Sequence, residues 1–537
     1  MKRDSKQGVM ITTTLITTPV FVAAGMALIC SILFHGAELI NFSINADEEH
    51  LVGRPHPALY VLNGRWGQYL LSYFVLPEQV FPITSLAICL SALAASFVLL
   101  VKKFGIRSWQ SVVVASPFFF GFPILLYNFA YSNNSFAIGL GILSSTAALY
   151  AAETRSVARF LATSALLAFG ISVYQSVLFF AVVVFLADSL FASELNGESQ
   201  STWRKWRWYA AVFIGGILLY FIVSYLLLTW YKANIIYVDS FIHVNALLDS
   251  PGIIVSRTLG QMWEVYSGSS SVFMGQNLYY RLLIVVFLGT ITWHALAGRS
   301  YLTTAVVLVA IVFVPFLLYP TALGYMPFRT LLGVPAATAV VALFSTELSL
   351  DWIRRWVLLP LSLLLIVEFS AINNRQYYAG HWGTERDKLL ASVIALRISE
   401  LSPGQKTFKI AVVGSGPAYD DVVVPAVPFS TLGASLFSIT GGNPIRIASF
   451  LRFVSHANFI PMNPVASGAN LTPKYQEYCE KILSFAATMP SWPVQDSVAQ
   501  MGDIFVIKLS EPTPGQIQTA CQNRQSLFCS RLSHGQP

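Results

Sequence analysis

Ten apolar stretches decide what this chain can fold into: about 10–34, 79–101, 110–127, 135–152, 160–191, 208–230, 279–297, 301–319, 331–346 and 357–373. Stretches near 20 residues match the hydrocarbon thickness of a bilayer. Only 11% of the 537 residues are charged, against roughly 25% in soluble domains, so lipid is the solvent for most of the chain. Lys2, Arg3 and Lys6 precede the first stretch as they would in a signal peptide, but the stretch is too long for one and reads as a retained helix.

Charge between the stretches sets their direction. Lys102, Lys103 and Arg107 follow the second stretch, Arg155 and Arg159 the fourth; Arg204, Lys205 and Arg207 precede the sixth, and Arg354 and Arg355 the last. Short basic loops stay in the cytoplasm, which places these loops and the N-terminus inside. The formal charge of +7 therefore reports orientation, and no basic patch interleaved with aromatics points to nucleic acid. Residues 160–191 have basic loops at both ends and must cross an even number of times, so they read as two helices hinged near Tyr174-Gln175-Ser176. About eleven transmembrane helices follow, with the C-terminus outside. A single long helix at 160–191 is the alternative, and it would invert everything downstream.

Residues 1–373 then form the membrane region, with outer loops at 35–78 and 231–278. Residues 374–537 form an outer domain of about 160 residues, long enough for its own core. Its short apolar segments, Ile410–Val413 and Ile504–Ile507, read as strands of an α/β domain. Cys479, Cys521 and Cys529 lie there, where an oxidising compartment permits one disulfide from an undetermined pair.

Chemistry concentrates in the first outer loop. Asp47, Glu48 and Glu49 are three adjacent carboxylates whose mutual repulsion raises the proton affinity of at least one, which suits a general base; a solvated acidic loop is the plainer reading. Gly64-Arg65-Trp66-Gly67 reads as the start of a helix lying on the membrane. Arg65 would offer a phosphate two parallel hydrogen bonds, or would simply anchor the interface beside Trp66. Arg329, in Pro327-Phe328-Arg329-Thr330, is a positive charge on an outer loop and a second candidate phosphate ligand, with Arg54 and Arg257 weaker ones. Tyr174 and Gln175 at the hinge are candidate substrate contacts. Gly414-Ser415-Gly416 lacks the third glycine of a nucleotide site and runs into Pro417. The eight histidines include no pair at zinc-ligand spacing, so no metal site is expected.

With these motifs, the chain resembles the serotype-converting O-antigen glucosyltransferases of the Gtr type II family, within the GT-C superfamily. Ser116-Pro117, Tyr174-Gln175, Ile439-Thr440-Gly441-Gly442-Asn443-Pro444 and Met489-Pro490-Ser491-Trp492-Pro493 extend the likeness to about residue 510. The resemblance implies a bacterial inner-membrane enzyme that moves a sugar, typically glucose, from undecaprenyl phosphate to lipopolysaccharide O-antigen at the periplasmic face. It also implies pathway partners: a small flippase and a cytoplasmic lipid-phosphate glucosyltransferase. The leaving group is a phosphate monoester with a second pKa of about 6, so it departs without an acid; the acceptor hydroxyl needs a base. No cofactor is expected, a divalent metal being left open. Glu48 departs from the family's Asp-Asp-Glu-like run, which leaves open which carboxylate is the base.

Rival readings are a transporter or flippase, or an O-antigen polymerase. Transporters bury ionisable groups at the midplane and show repeated halves. Here Glu38, Asp188, His294 and Glu368 are expected near helix ends, and no repeat is visible.

Overall fold

The computed structural model describes residues 18–45, 48, 60–76, 82–194, 202–232, 248–275, 277–297, 301–324, 326–416, 434–439, 441–462 and 473–521. Among them, nine helices are long and apolar enough to cross a membrane, and two shorter apolar helices, Val157–Val173 and Gly333–Leu348, stand beside them. In chain order the bundle comprises α1 (Thr18–Ile40), a short α2 (Trp66–Leu70), α3 (Pro82–Lys103), α4 (Trp109–Gly121), one-turn α5 (Leu126–Phe129), α6 (Ser132–Ala151), α7 (Val157–Val173), α8 (Val177–Glu194), α9 (Thr202–Tyr231), α10 (Pro251–Tyr266), α11 (Leu278–Ala297), α12 (Tyr301–Phe313), α13 (Gly333–Leu348) and α14 (Leu359–Leu401). The 160–191 stretch breaks at Tyr174-Gln175-Ser176 into α7 and α8, where the sequence places its hinge.

Lipid-embedded helices gain nothing from hiding apolar surface, so close contact must hold them together. Small residues provide it. A Cβ at Gly139 on α6 would strike the Cys89 backbone on α3, and one at Gly215 or Gly216 on α9 would strike Ser164, Phe160 or Leu167 on α7. Large apolar side chains remain outside, among them Leu218, Phe221, Tyr225 and Trp230 along α9. The central α4 is buried from Ser111 to Gly121.

The basic end of the bundle is closed by ion pairs. Buried Asp188 accepts the Tyr209 hydroxyl at 2.6 Å and pairs with Lys205, with Lys103 3.8 Å away. Lys103 also meets Glu153 at 2.7 Å, and Glu347 accepts from the backbone N–H and hydroxyl groups of Ser108 and Ser111.

Helix α14 runs 43 residues without a break, across residue 373, the domain boundary expected from the sequence. Its apolar part ends there, but nothing between 374 and 401 breaks a helix: there is no proline, and Tyr377, Leu390, Ile394 and Ile398 continue a buried face. Tyr377 belongs to the bundle core, whereas Leu390, Ile394 and Ile398 belong to the core of the C-terminal unit. Glu368 is also displaced from its expected place at a helix end. It lies inside α14, and its carboxylate accepts the N–H groups of Tyr279 (3.4 Å) and Tyr280 (3.1 Å), capping the start of α11. A helix N-terminus supplies unpaired donors and a positive dipole end, which is what makes a buried carboxylate tolerable there.

The C-terminal unit is α/β. Strands β1 (Thr407–Val413), β2 (Asn458–Pro461), β3 (Val498–Met501) and β4 (Ile504–Lys508) form one sheet in the order β2-β1-β4-β3. β1 runs parallel to β2 and β4, and β3 is antiparallel to β4. One face packs on α14 and α15 (Pro444–Ser455), the other on α16 (Pro473–Ala487). The two late sequence motifs join this unit together. Asn443 caps α15 by accepting from Ile445 and Arg446. Arg397 of α14 donates to the Pro493 and Val494 carbonyls and lies over the Trp492 ring. Cys479 is buried on α16; the Cys521 side chain and Cys529, and with them the expected disulfide, lie outside the described residues.

Candidate functional site

At the end of the bundle opposite the basic one, the segment from Leu126 to Asn134 acts as a hub. Helix α4 stops at Gly121, and Pro123 opens a tight turn, because proline fits the first turn of a helix but cannot continue one. The chain then turns through α5 and exposes polar groups to three separate segments.

The first is the loop after α1. The Asn45 side chain donates to the Ala130 carbonyl at 2.6 Å, and Glu48 accepts the Ser132 hydroxyl at 2.7 Å and the Asn45 N–H at 3.0 Å. Glu48 is 1% exposed. Near the end of α1, Glu38 accepts the Ser43 hydroxyl at 3.0 Å and interacts electrostatically with Glu48. The same loop is held from the other side, where the Ile44 N–H donates to Thr384 of α14 at 3.0 Å.

The second segment is α2, which begins at the Gly-Arg-Trp-Gly motif. Gly64 has φ +68°, and a Cβ there would collide with the Tyr220 hydroxyl and crowd the Gln175 amide, so both backbone and space require glycine. Gly67 is pressed against Ser172 of α7. Gln68 donates to Asn134 of the hub, and Gln175 donates to the Asn63 carbonyl at 2.6 Å. These contacts set Arg65 over the Tyr174 ring, guanidinium carbon 4.6 Å from the centroid. Its Nε is buried without a hydrogen-bond partner, as is Nε1 of Trp66. Farther along α2, the Tyr231 hydroxyl donates to the Tyr69 hydroxyl at 3.3 Å. Exposed Leu70, Tyr73, Phe74 and Val75 follow, the apolar margin of a helix that lies along the bundle's end.

Third comes the turn at Phe328–Thr330. The Asn128 side chain donates to the Arg329 carbonyl at 3.0 Å, and the Tyr127 and Phe328 rings meet at 5.6 Å.

The structure thus gathers Glu48, Arg65, Trp66, Tyr174, Gln175 and Arg329 around one end of the bundle, although they are spread over nearly 300 residues of sequence. Asp47, Glu49 and Arg54 lie outside the described residues. Arg257 sits on α10, where its Cβ flanks Gly324. Sequence reasoning passed over Asn45, Asn128, Ser132 and Asn134. Their signal was available: Tyr131-Ser132-Asn133-Asn134 is a polar cluster between two membrane-length apolar runs.

What the arrangement offers chemically is an arginine whose flat face is covered by an aromatic ring and whose buried Nε has no hydrogen-bond partner. A guanidinium edge suits a phosphate oxygen. In comparison with known families, the one described as Glucosyl transferase GtrII matches residues 36–346, more than half of the chain. The comparison with curated proteins finds no match.

Proposed function

This chain belongs to the GtrII glucosyl transferase family, and from that premise we propose that it is a membrane glycosyltransferase which takes glucose from undecaprenyl phosphate and attaches it to an O-antigen or related glycan on the periplasmic side. The single observation that carries the reading is the unpaired Nε of Arg65. Its ring face is spent on Tyr174, and its Nε is buried without a partner. A buried guanidinium N–H left unpaired is costly, and a phosphate group at membrane depth would satisfy it.

In this reading Arg65 and Arg329 hold the phosphate, with Arg54 as a further candidate, and Trp66, Tyr174 and Gln175 shape the pocket for the sugar. Both oxygens of Glu48 are engaged by donors from Ser132 and Asn45, which favours Glu48 as the residue that fixes the loop. The base is then its neighbour Asp47, with Glu49 as the alternative. The base takes the acceptor hydroxyl proton as that oxygen bonds to the anomeric carbon, and the phosphate leaves with the electron pair of the broken bond.

The test uses purified full-length protein with labelled undecaprenyl-phosphate glucose and lipopolysaccharide. Label should move to the polysaccharide, and a nucleotide sugar should not replace the lipid. Transfer from the nucleotide sugar alone would overturn the donor. The outward face rests on the distribution of Lys and Arg. Alkaline phosphatase fused after residue 402 should be active and a fusion at residue 200 inactive; the reverse result would invert the topology.

A further inference from the structure

Helix α14 carries a second polar feature, which the phosphate and base do not use. Gln376 is 1% exposed, and neither its Oε1 nor its Nε2 has a hydrogen-bond partner; Asn373, one turn earlier and fully buried, leaves its Oδ1 unpaired. Both lie on the buried face of the helix. Asn373 Nδ2 and His35 have partners, whereas His381 Nδ1, farther along α14, is also buried without one. Asn373 Nδ2 donates to the Gly121 carbonyl at 3.0 Å. His35 makes two bonds of 2.8 Å: the Phe120 carbonyl can only accept, so Nε2 carries the proton and Nδ1 accepts from Tyr377. Gln376 stands apart from this network.

Its position is fixed by the pairing of α14 with α1. Leu33 meets Ser370 and Asn374, His35 meets Tyr377, and Ile44 meets Thr384, so the two helices run side by side in the same direction. Gln376 therefore lies at the height of His35, one turn before Glu38 and the loop that holds Glu48. Gly121, which Asn373 touches, ends α4 and opens the hub segment.

A primary amide left unpaired among packed helices has no water to fall back on, and native proteins keep such groups rarely and for a reason. We propose that Gln376, with Asn373 Oδ1, is the subsite that binds hydroxyl groups of the donor sugar. The amide offers two donors and an acceptor, which matches neighbouring hydroxyls that each give and take a bond. The subsite is uncharged, so it suits a neutral hydroxylated group better than a phosphate. Its depth within the bundle favours the lipid-linked sugar over a glycan arriving from solution. The assignment rests on the donor reading above and adds the part of the donor that Arg65 does not touch.

The experiment measures thermal stabilisation of the purified full chain by three probes: undecaprenyl-phosphate glucose, undecaprenyl phosphate alone, and a soluble O-antigen oligosaccharide. Wild type should gain more from the sugar-bearing lipid than from the bare lipid phosphate. Gln376→Met, which keeps length and loses the amide, should erase that difference and weaken binding of the sugar-bearing lipid about tenfold, the scale of a lost hydrogen bond to a substrate hydroxyl. Its response to bare lipid phosphate should stay unchanged. Donors carrying singly deoxygenated glucose give a second readout: wild type should reject one or two of them and Gln376→Met should not. If Gln376→Met fails to fold, Gln376→Asn, with the amide drawn back by one methylene, makes the same comparison. An undiminished difference in the variant means that the amide holds only a buried water, and the subsite falls. Loss of the oligosaccharide response instead overturns the assignment to the donor. If neither lipid stabilises wild type, the donor reading itself fails, and the subsite with it.

Discussion

The two ends of the helical bundle differ in how their buried charges are partnered. At the basic end the buried carboxylate is paired: Asp188 has Tyr209, Lys205 and Lys103, and Lys103 has Glu153 as well, although Trp206 Nε1, Ser345 Oγ and Arg354 Nε are buried without partners there. At the other end Arg65 Nε, Trp66 Nε1, Asn373 Oδ1 and the whole Gln376 amide are buried and unpaired. A paired charge network fixes a fold, whereas an unpaired guanidinium N–H and a whole unpaired amide at one end suit a ligand that would pair them. Substitutions at the first end should therefore cost stability, and those at the second should cost activity.

The largest effect should follow Asp47→Asn. It is nearly isosteric, cannot accept a proton, and should reduce sugar transfer by about 10²–10⁴-fold with melting temperature unchanged. Glu49→Gln made alongside decides between the two carboxylates. If Asp47→Asn melts early and keeps its specific activity, the contrast between the ends collapses.

Next in size is Asp188→Ala at the basic end. Removing one partner of a buried ionic group leaves Lys205 and Tyr209 unmatched, a loss of about 3 kcal/mol, seen as a lower thermal midpoint in detergent. Sugar transfer per folded molecule should stay at the wild-type level. A drop in transfer without loss of stability would mean that the two ends communicate.

Arg65→Lys keeps charge but not the fork, and should lower transfer about tenfold, near one charge-assisted hydrogen bond. Arg65→Ala should fall further, with little change in melting, because an arginine over a tyrosine ring contributes only about 0.5–2 kcal/mol. Normal transfer by Arg65→Ala would make Arg65 an interface anchor. The smallest effect belongs to Glu153→Ala, whose partly exposed pair with Lys103 is worth at most about 1 kcal/mol; a larger shift would show the basic end to be more tightly coupled than its geometry implies.

Much of the bundle was legible because hydropathy and charge act over whole segments. The break at Tyr174-Gln175-Ser176 followed from basic residues at both ends of an apolar run, without any local signal for a turn. Strands β1 and β4 were readable as apolar runs between breakers. The end of α14 was misplaced because hydropathy marks where lipid stops, and a helix stops only where its backbone is broken or uncapped. At the site, Arg65 and Arg329 stood out as unexpected charges. Ser132 and Asn128 did not, since a hydroxyl or amide in a short loop is commonplace and acquires meaning only when a buried carboxylate or carbonyl arrives from a distant segment. Gln376 was hidden for the opposite reason: its importance lies in a bond it does not make.

The unbroken α14 also has a metric consequence. At 1.5 Å per residue its 43 residues extend roughly 65 Å, about twice the apolar thickness of a bilayer. With no swivel between membrane and sheet, the C-terminal unit stands at a set height and bearing, like a crane arm welded to its mast. Thr384 grips Ile44 partway up that mast, and Asn45 and Glu48 follow directly in sequence. Any force that tilts the arm is thus delivered to Ile44, and so to the segment that carries Asn45 and Glu48, as a displacement along a stiff rod.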